Sequence, residues 1–307
     1  MKQTTLLTAF APAVWGTTYI VTTELLPAGH PLFASLVRAL PAGLIAIAIA
    51  RRLPHRTWWF KSAVLGILNI GAFFPLLFLA AYRLPGGVAA TLGAFQPLIV
   101  ALLVVPLLGE RLSRWRLLWG IVGVIGVALV VLRSSAALDV VGVIAGLLGP
   151  VSMGLGVVLT KKWGRPSGVS GVALAGWQLT AGGLVLLPIA LLVEGVPTVI
   201  DADAALGYAW LGIVGGLLAY TLWFSGIRSL PVTAVAVLAL LSPLVAAGLG
   251  AAVLGETLTP AQLVGFALAL AAIVASQLTP PRRRMPDPTT RPVDAALSST
   301  NRAPHNS

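Results

Sequence analysis

From its first residues to about residue 279, the chain is a succession of apolar runs about 20 residues long, separated by short polar segments. A run of this length can cross the hydrocarbon core of a bilayer as a helix. Hydrophobic residues make up 58% of the sequence, charged residues only 9%, and the mean hydropathy is +0.96. In a soluble domain about 25% of the residues are charged. The sequence therefore predicts an all-α integral membrane protein.

The polar segments divide the apolar part into ten predicted transmembrane helices. They cover approximately residues 5–26, 31–50, 58–81, 86–108, 114–133, 140–160, 169–193, 206–227, 232–254 and 260–279. The segment 280–307 is rich in Pro, Ser, Thr and Arg and has too few apolar residues to form a core. We expect it to be a disordered cytoplasmic tail.

Basic residues alternate between the two sides of the predicted bundle. The connections that follow even-numbered helices hold Arg51, Arg52, Arg56, Lys61, Arg111, Arg114, Arg116, Lys161, Lys162, Arg165, Arg228, Arg282, Arg283 and Arg284. The short connections on the other side hold Arg83 and Arg133 and most of the acidic residues. Because Lys and Arg accumulate in cytoplasmic loops, we expect both termini to be cytoplasmic. This placement accounts for the net charge of +11 without a nucleic-acid partner.

The two halves of the chain resemble each other. With a shift of 146 residues, Leu84-Pro85 aligns with Leu230-Pro231, Gln96-Pro97 with Ser242-Pro243, and Gly109-Glu110 with Gly255-Glu256. Phe74 and Phe78 align with Tyr220 and Phe224, and at a shift of about 138 the pattern Pro12-x-x-x-Gly16 aligns with Pro150-x-x-x-Gly154. Each half, 1–133 and 134–279, contains five predicted helices. Since five is odd, the second half enters the membrane inverted, an arrangement typical of alternating-access transporters.

These motifs, with a Leu-Gly-Glu-x-Leu sequence closing the fourth helix of the first half and its counterpart in the second, resemble the EamA type of the drug/metabolite transporter superfamily. The resemblance covers roughly residues 5–279. It implies a secondary transporter that exports amino acids or related small metabolites across the bacterial inner membrane, through a cavity between the two halves. Within that family, the chain looks most like exporters of aromatic and other neutral amino acids.

The repeated turns, Gly109-Glu110 and Gly255-Glu256, each end an apolar helix shortly before the next one begins. Ser113 and Thr259 stand where an N-cap would start that next helix, and Pro260 occupies the favoured first helical position. Each Glu therefore lies near a helix N-terminus, which favours an anion. The turns are predicted to be structural, and a gating contact with the opposite half is the alternative.

The predicted membrane interior contains no Asp or Glu near the middle of a helix, and Arg38 is the one charged residue that lies away from the ends of a predicted helix. This pattern disfavours a carboxylate-driven proton antiporter and a cation-selective drug pump. Arg38 either meets a solute carboxylate or extends towards the surface and pairs with carbonyl groups. A small neutral or zwitterionic solute fits this interior best.

The candidate cavity residues combine polar groups, prolines and aromatic rings at membrane depth. Pro97 and Pro243 are predicted to kink their helices and free a backbone carbonyl beside the polar residues Gln96 and Ser242. Further candidates are Trp15, Tyr19, Arg38, Asn69, Phe74, Phe78, Trp177, Gln178, Tyr220 and Trp223. For each polar residue the alternative is a hydrogen bond between helices, and for each aromatic residue it is core packing.

Rival classes lack the residues that they need. An intramembrane enzyme requires a nucleophile–base pair or metal ligands at depth, whereas His30, His55 and His305 fall in loops and the tail. The absence of cysteine excludes disulfides and thiolate metal sites. We expect no enzyme activity, no cofactor and no metal, with the lipid bilayer and a small solute as partners. The oligomeric state stays open, a monomer included.

The charge pattern makes a topological prediction. A reporter fused after Arg284 should be cytoplasmic, and a reporter inserted near Asp201 should be periplasmic, because three predicted helices, an odd number, lie between the two positions. Alkaline phosphatase and green fluorescent protein fusions measure the two positions. Location of both reporters on one side would contradict the ten-helix, inverted arrangement.

Overall fold

The structure is a computed structural model that describes residues 2–83, 92–131, 139–253, 255 and 258–278. Glu256, the tail 280–307 and the side chains of Tyr19 and Phe78 lie outside the described part of the chain. The described residues form helices and no strand. The helices are α1 (Lys2–Gly16), α2 (Thr18–Leu25), α3 (Pro31–Ala50), α4 (Trp58–Gly66), π1 (Ile67–Gly71), α5 (Phe73–Arg83), α6 (Gln96–Leu108), α7 (Arg114–Val131), α8 (Val140–Trp163), α9 (Gly171–Val193), α10 (Ala202–Ala209), π2 (Trp210–Leu218), α11 (Ala219–Ser229), α12 (Val232–Leu238), α13 (Leu241–Val253) and α14 (Pro260–Gln277).

Seven helical stretches of the described residues are long and apolar enough to cross a membrane. They cover Pro31–Ala50, Trp58–Leu77, Val140–Trp163, Gly171–Val193, Ala202–Ser229, Val232–Val253 and Pro260–Gln277. All seven fall within or overlap predicted helices. The all-helical, multi-pass class is therefore supported, while the count of ten stays a prediction.

Among the described helices, α3 and α9, one from each half of the sequence, pack along each other most extensively. Three glycines bring the two backbones together. A methyl group on Gly43 would overlap the backbone nitrogen of Thr180, and a methyl group on Gly183 would lie 2.8 Å from the Cα of Leu40. A methyl group on Gly176 would lie 3.1 Å from the carbonyl oxygen of Gly43. Small residues at such crossings allow close packing, which drives helix association in lipid.

Polar contacts hold both ends of this helix pair. At one end, the Glu194 carboxylate accepts hydrogen bonds from the backbone N–H groups of Leu32 (3.0 Å) and Phe33 (2.9 Å), in the first turn of α3. These groups have no acceptor within their own helix, and the helix dipole also favours an anion there. At the other end, the Trp177 indole donates to the Arg52 carbonyl at 2.8 Å. The pair therefore couples the two halves along its whole length.

A second pair, α7 and α14, joins the last helices of the two halves. A methyl group on Gly126 would lie 2.6 Å from the backbone nitrogen of Ala269 and 2.8 Å from the carbonyl oxygen of Gly265. Gln262 donates to the Val130 carbonyl at 2.8 Å near one end of the pair. The helices of the two halves are thus interleaved rather than folded as separate bundles.

The two halves also share irregular backbone at matching positions. Shifting π1 by 146 residues places it at 213–217, within π2. A turn at Ala94–Phe95 precedes α6, and a turn at Ala239–Leu240 precedes α13. The same shift superimposes these turns to within one residue.

The turns lie beside the prolines that were predicted to interrupt their helices. Pro97 lies in the first turn of α6, which begins at Gln96, and Pro243 lies in the first turn of α13. In each half a short turn ends two or three residues before the proline. The physical reason is that the first-turn N–H of a helix has no intrahelical acceptor, so a residue without an N–H costs nothing there.

Contacts between loops agree with the predicted sides. Arg83 lies 3.5 Å from Asp139, and the sequence places both on the acidic side. Lys161 donates to the carbonyl groups of Arg228 (2.7 Å) and Leu230 (2.9 Å), all on the basic side. Each of these contacts therefore joins residues that the sequence assigns to the same side.

The close crossing of α3 and α9 predicts a sensitive glycine. Gly43→Ala should lower the free energy of unfolding by about 1–3 kcal/mol, because the added methyl group forces the two backbones apart. The matched control is Gly248→Ala, where the new methyl group would meet only Phe266, at 3.9 Å. That control should be neutral or stabilising, since Ala has a higher helix propensity than Gly. Thermal unfolding of the purified variants in detergent measures both effects, and an equal response of the two positions would refute the packing role of Gly43.

Candidate functional site

Arg38 lies in the middle of α3 and is 9% exposed. Its guanidinium donates to the Thr18 hydroxyl at 3.2 Å and to the Gly215 carbonyl at 3.3 Å. It also lies over the ring of Phe74, with 5.4 Å between the guanidinium carbon and the ring centroid. A cation at membrane depth is expensive and usually functional. These contacts stabilise the charge through oxygen dipoles and the aromatic face.

The Gly215 carbonyl belongs to π2 and receives two donors from the first half. Besides Arg38, the indole of Trp15 donates to it at 3.0 Å. Helix α1 ends at Gly16, one residue beyond Trp15, and α2 begins at Thr18. A broken helix of the first half therefore meets a π-helical segment of the second. Such π segments are frequent at functional sites because they displace backbone groups from regular helical positions.

Aromatic rings surround the Trp15 side chain. The Trp15 ring lies 4.9 Å from that of Tyr220 and 5.2 Å from that of Trp223, centroid to centroid. Tyr220 in turn contacts Phe224 at 5.6 Å. Tyr220 and Trp223 are completely buried. The structure thus brings together five of the predicted residues, Trp15, Arg38, Phe74, Tyr220 and Trp223, which with Thr18 and Gly215 we call the Arg38 cluster.

Asn69 and Gln178 form a second polar contact between the halves. The Asn69 amide donates to the Gln178 side-chain oxygen at 2.8 Å, and both side chains are completely buried. Asn69 belongs to π1, just as Gly215 belongs to π2. In each case a π segment of one half meets a polar side chain on α3 or α9 of the other half. Both residues are buried, and their contact is the hydrogen bond between helices that was the alternative to a role in the cavity.

The residues near the helix breaks occupy different surroundings. The Ser242 carbonyl lies against Gly16, where an added methyl group would approach it to 2.6 Å. The break before α13 is therefore next to Trp15 and the Arg38 cluster. Gln96 and Pro97 are buried, and the Gln96 amide nitrogen has no hydrogen-bond acceptor among the described residues. Described contacts do not connect Gln96 with the Arg38 cluster.

Trp177 lies apart from the other predicted cavity residues. Its indole donates to the Arg52 carbonyl, and its ring contacts Trp58 at 5.9 Å and His55 at 6.4 Å. These neighbours belong to the basic side of the bundle. Trp177 therefore packs at that side rather than in the Arg38 cluster.

The repeated turns have matching backbone geometry. Gly109 and Gly255 adopt left-handed conformations, with φ of 68° and 69°. The Ser113 hydroxyl accepts a hydrogen bond from the Arg116 N–H at 3.3 Å, and Thr259 forms a capping box with Gln262. These are the contacts expected of structural turns. Glu110 is exposed, and a gating role for it stays a prediction.

Sequence reasoning missed several groups that complete the site. Neither π segment produces a sequence pattern distinct from an ordinary apolar helix. Thr18 and the Gly215 carbonyl were missed because an isolated hydroxyl and a backbone oxygen carry no motif. Glu194 directly follows the predicted helix 169–193, but its role as a cap on the opposite half depends on tertiary packing.

Comparisons with known proteins agree with this architecture. The EamA-like transporter family model matches twice, over residues 3–132 and 140–276. The chain is 47% identical over 268 residues to "Protein PecM" of Dickeya dadantii (strain 3937), covering 87% of this chain and 90% of that protein. It is 27% identical to "Uncharacterized transporter YvbV" of Bacillus subtilis (strain 168), covering 88% and 90% of the two chains. A crystal structure that is 21% identical aligns with a TM-score of 0.77 over 90% of this chain and 96% of that chain, which shows a shared fold.

The Asn69–Gln178 contact predicts coupling between the two halves. Asn69→Ala and Gln178→Ala should each destabilise the protein by about 1–3 kcal/mol, because each leaves a buried amide without its partner. The double variant should be less destabilised than the sum of the two by about 0.5–1 kcal/mol. Unfolding titrations in mixed micelles measure this cycle. Thr8→Ala, at a buried hydroxyl that bonds within its own helix, should add to Asn69→Ala without coupling, and equal coupling in both cycles would contradict a specific contact.

Proposed function

The chain belongs to the EamA-like transporter family, and from this premise we propose that it exports amino acids, with aromatic and other neutral ones favoured. The export crosses the bacterial inner membrane, with both termini of the protein in the cytoplasm. Two inverted five-helix halves alternate the access to one central site. An exporter of another small neutral or zwitterionic metabolite is the alternative within the same class.

The observation that carries the proposal is the pairing of a buried guanidinium with aromatic rings in the Arg38 cluster. An amino acid has a carboxylate, which a guanidinium binds through charge-assisted hydrogen bonds. An aromatic or apolar side chain gains contact area against Trp15 and Tyr220. One cation and several rings therefore match the two ends of a neutral amino acid.

The cluster also has features that alternating access requires. Tyr220 and Trp223 are completely buried, so a solute contacts them only after side chains or helices move. The helix break between α1 and α2 and the break before α13 lie next to the cluster. Discontinuous helices at the interface of two repeats are common at transporter binding sites. The matching π segments and breaks give both halves equivalent points at which to bend.

Substitution of Arg38 tests the solute class. Arg38→Gln should reduce the uptake of phenylalanine into proteoliposomes at least about tenfold, equivalent to about 1.4 kcal/mol of lost binding. Arg38→Lys should retain part of the uptake, because it keeps the charge but not the planar fork. Radiolabelled flux, normalised to inserted protein, is the measurement.

Two controls make this result specific. Arg56→Gln removes an exposed cation from the basic side and should leave phenylalanine uptake unchanged. Phenethylamine lacks the carboxylate, so any flux of it should not depend on Arg38. Equal loss of both solutes in Arg38→Gln would show that Arg38 only supports the fold.

The energy coupling is a separate prediction. Since the sequence places no carboxylate near the middle of a predicted helix, solute flux down its own gradient should persist when the proton gradient is collapsed with an ionophore. Counterflow in liposomes at equal pH on both sides measures this flux. Strict dependence on an imposed pH gradient would contradict the prediction and would direct attention to the surface carboxylates.

A further inference from the structure

A small cavity lies at the basic side of the bundle, between the start of α9 and the end of α11. Arg165, Gly171, Phe224, Ser225 and Arg228 are among the residues that line it. Its volume is about 10 Å³, the room that a single water-sized group needs. One oxygen atom of a carboxylate or a phosphate fits such a space. None of the lining residues belongs to the Arg38 cluster.

The cavity collects positive charge. Two of its lining residues are arginines, and the Nε atom of Arg165 is buried without a hydrogen-bond acceptor among the described residues. Partial burial and then the like charge of Arg228 lower the pKa of Arg165 from its ordinary value. A third cation, Lys161, lies outside the cavity lining, donates to the Arg228 carbonyl at 2.7 Å and also interacts electrostatically with Glu110. An anion placed between the two guanidinium groups would offset their mutual repulsion.

The backbone adds to this preference. Helix α9 is 23 residues long and begins at Gly171, in the wall of the cavity. A methyl group on Gly171 would lie 2.7 Å from the Ser225 hydroxyl and 3.5 Å from Nη1 of Arg165. The glycine therefore keeps open the space where a hydroxyl, a guanidinium and the first turn of a long helix converge. The positive end of the helix dipole favours an anion at this position.

We propose that this cavity is a binding site for a small oxyanion, with Arg165 and Arg228 as its principal ligands. The oxyanion is either the carboxylate of a cytoplasmic solute or the phosphate of a lipid headgroup. Phe224 forms part of the cavity wall and contacts Tyr220 of the Arg38 cluster at 5.6 Å. The Phe224 ring therefore separates a carboxylate bound here from Tyr220. Its role as the first contact of an exported solute rests on the proposed function, whereas oxyanion binding does not.

Thermal unfolding of the full-length protein in a neutral detergent tests the site. Inorganic phosphate and acetate, each compared with chloride at equal ionic strength, should raise the unfolding temperature of the wild-type protein in a saturable way. Arg165→Gln and Arg228→Gln should each weaken the apparent oxyanion affinity by about tenfold. Lys162→Gln removes an exposed cation next to the cavity and should leave the affinity unchanged. No saturable effect in the wild type, or an equal loss in all three variants, would overturn the proposal.

Two further arms identify the source of the oxyanion. If it is a solute carboxylate, phenylalanine should stabilise the wild type more than phenethylamine does, and Arg165→Gln should reduce this difference by the part that does not depend on Arg38. If it is a lipid phosphate, adding phosphatidylglycerol to phosphatidylcholine vesicles should abolish the phosphate effect in the wild type. Either result supports the site. Oxyanion stabilisation that persists in a protein without amino-acid flux would refute the proposed function but leave the oxyanion site intact.

Discussion

The close contact between α3 and α9 is the constraint on which the rest of the structure depends. Backbone meets backbone at Gly43 and Gly183, and the Glu194 carboxylate caps the opposite helix at one end. Because the two helices come from different halves, neither half completes its own core. The crossing also fixes where side chains of these helices reach the π segments. Arg38 of α3 meets π2, and Gln178 of α9 meets Asn69 in π1.

This arrangement explains how a charge is accommodated at membrane depth. Arg38 receives no strong stabilisation from lipid, so its hydrogen bonds and ring contact must come from the protein. Thr18 and Gly215 provide oxygen acceptors, and Phe74 provides an aromatic face. The equivalent contact in the other half uses two uncharged amides instead. The two contacts therefore match in backbone position, because each involves a π segment, but only the contact in α3 carries a charge.

Much of the helical plan could be predicted from the sequence, because apolar length and basic loops are physical requirements of a membrane. The repeat could also be predicted, because Gly109 and Gly255 stand at equivalent points where the backbone is left-handed. The helix interruptions near Pro97 and Pro243 could also be predicted, since a short turn precedes each of them. Side-chain positions that depend on packing could not. Trp177 has the composition of a cavity residue, but its indole is held by the Arg52 carbonyl on the basic side. The π segments depend on tertiary contacts that no local pattern encodes.

The interleaving of the halves has a consequence for synthesis in the cell. Arg38 and its acceptor Gly215 are separated by 177 residues. At a translation rate of 5–20 residues per second, roughly 9–35 s pass between the emergence of the one and that of the other. During this interval the first five predicted helices lack the Gly215 carbonyl that binds Arg38 and the helix α9 that packs against Gly43. A stalled ribosome would therefore leave a first half in which Arg38 has Thr18 and Phe74 as partners but lacks the Gly215 carbonyl.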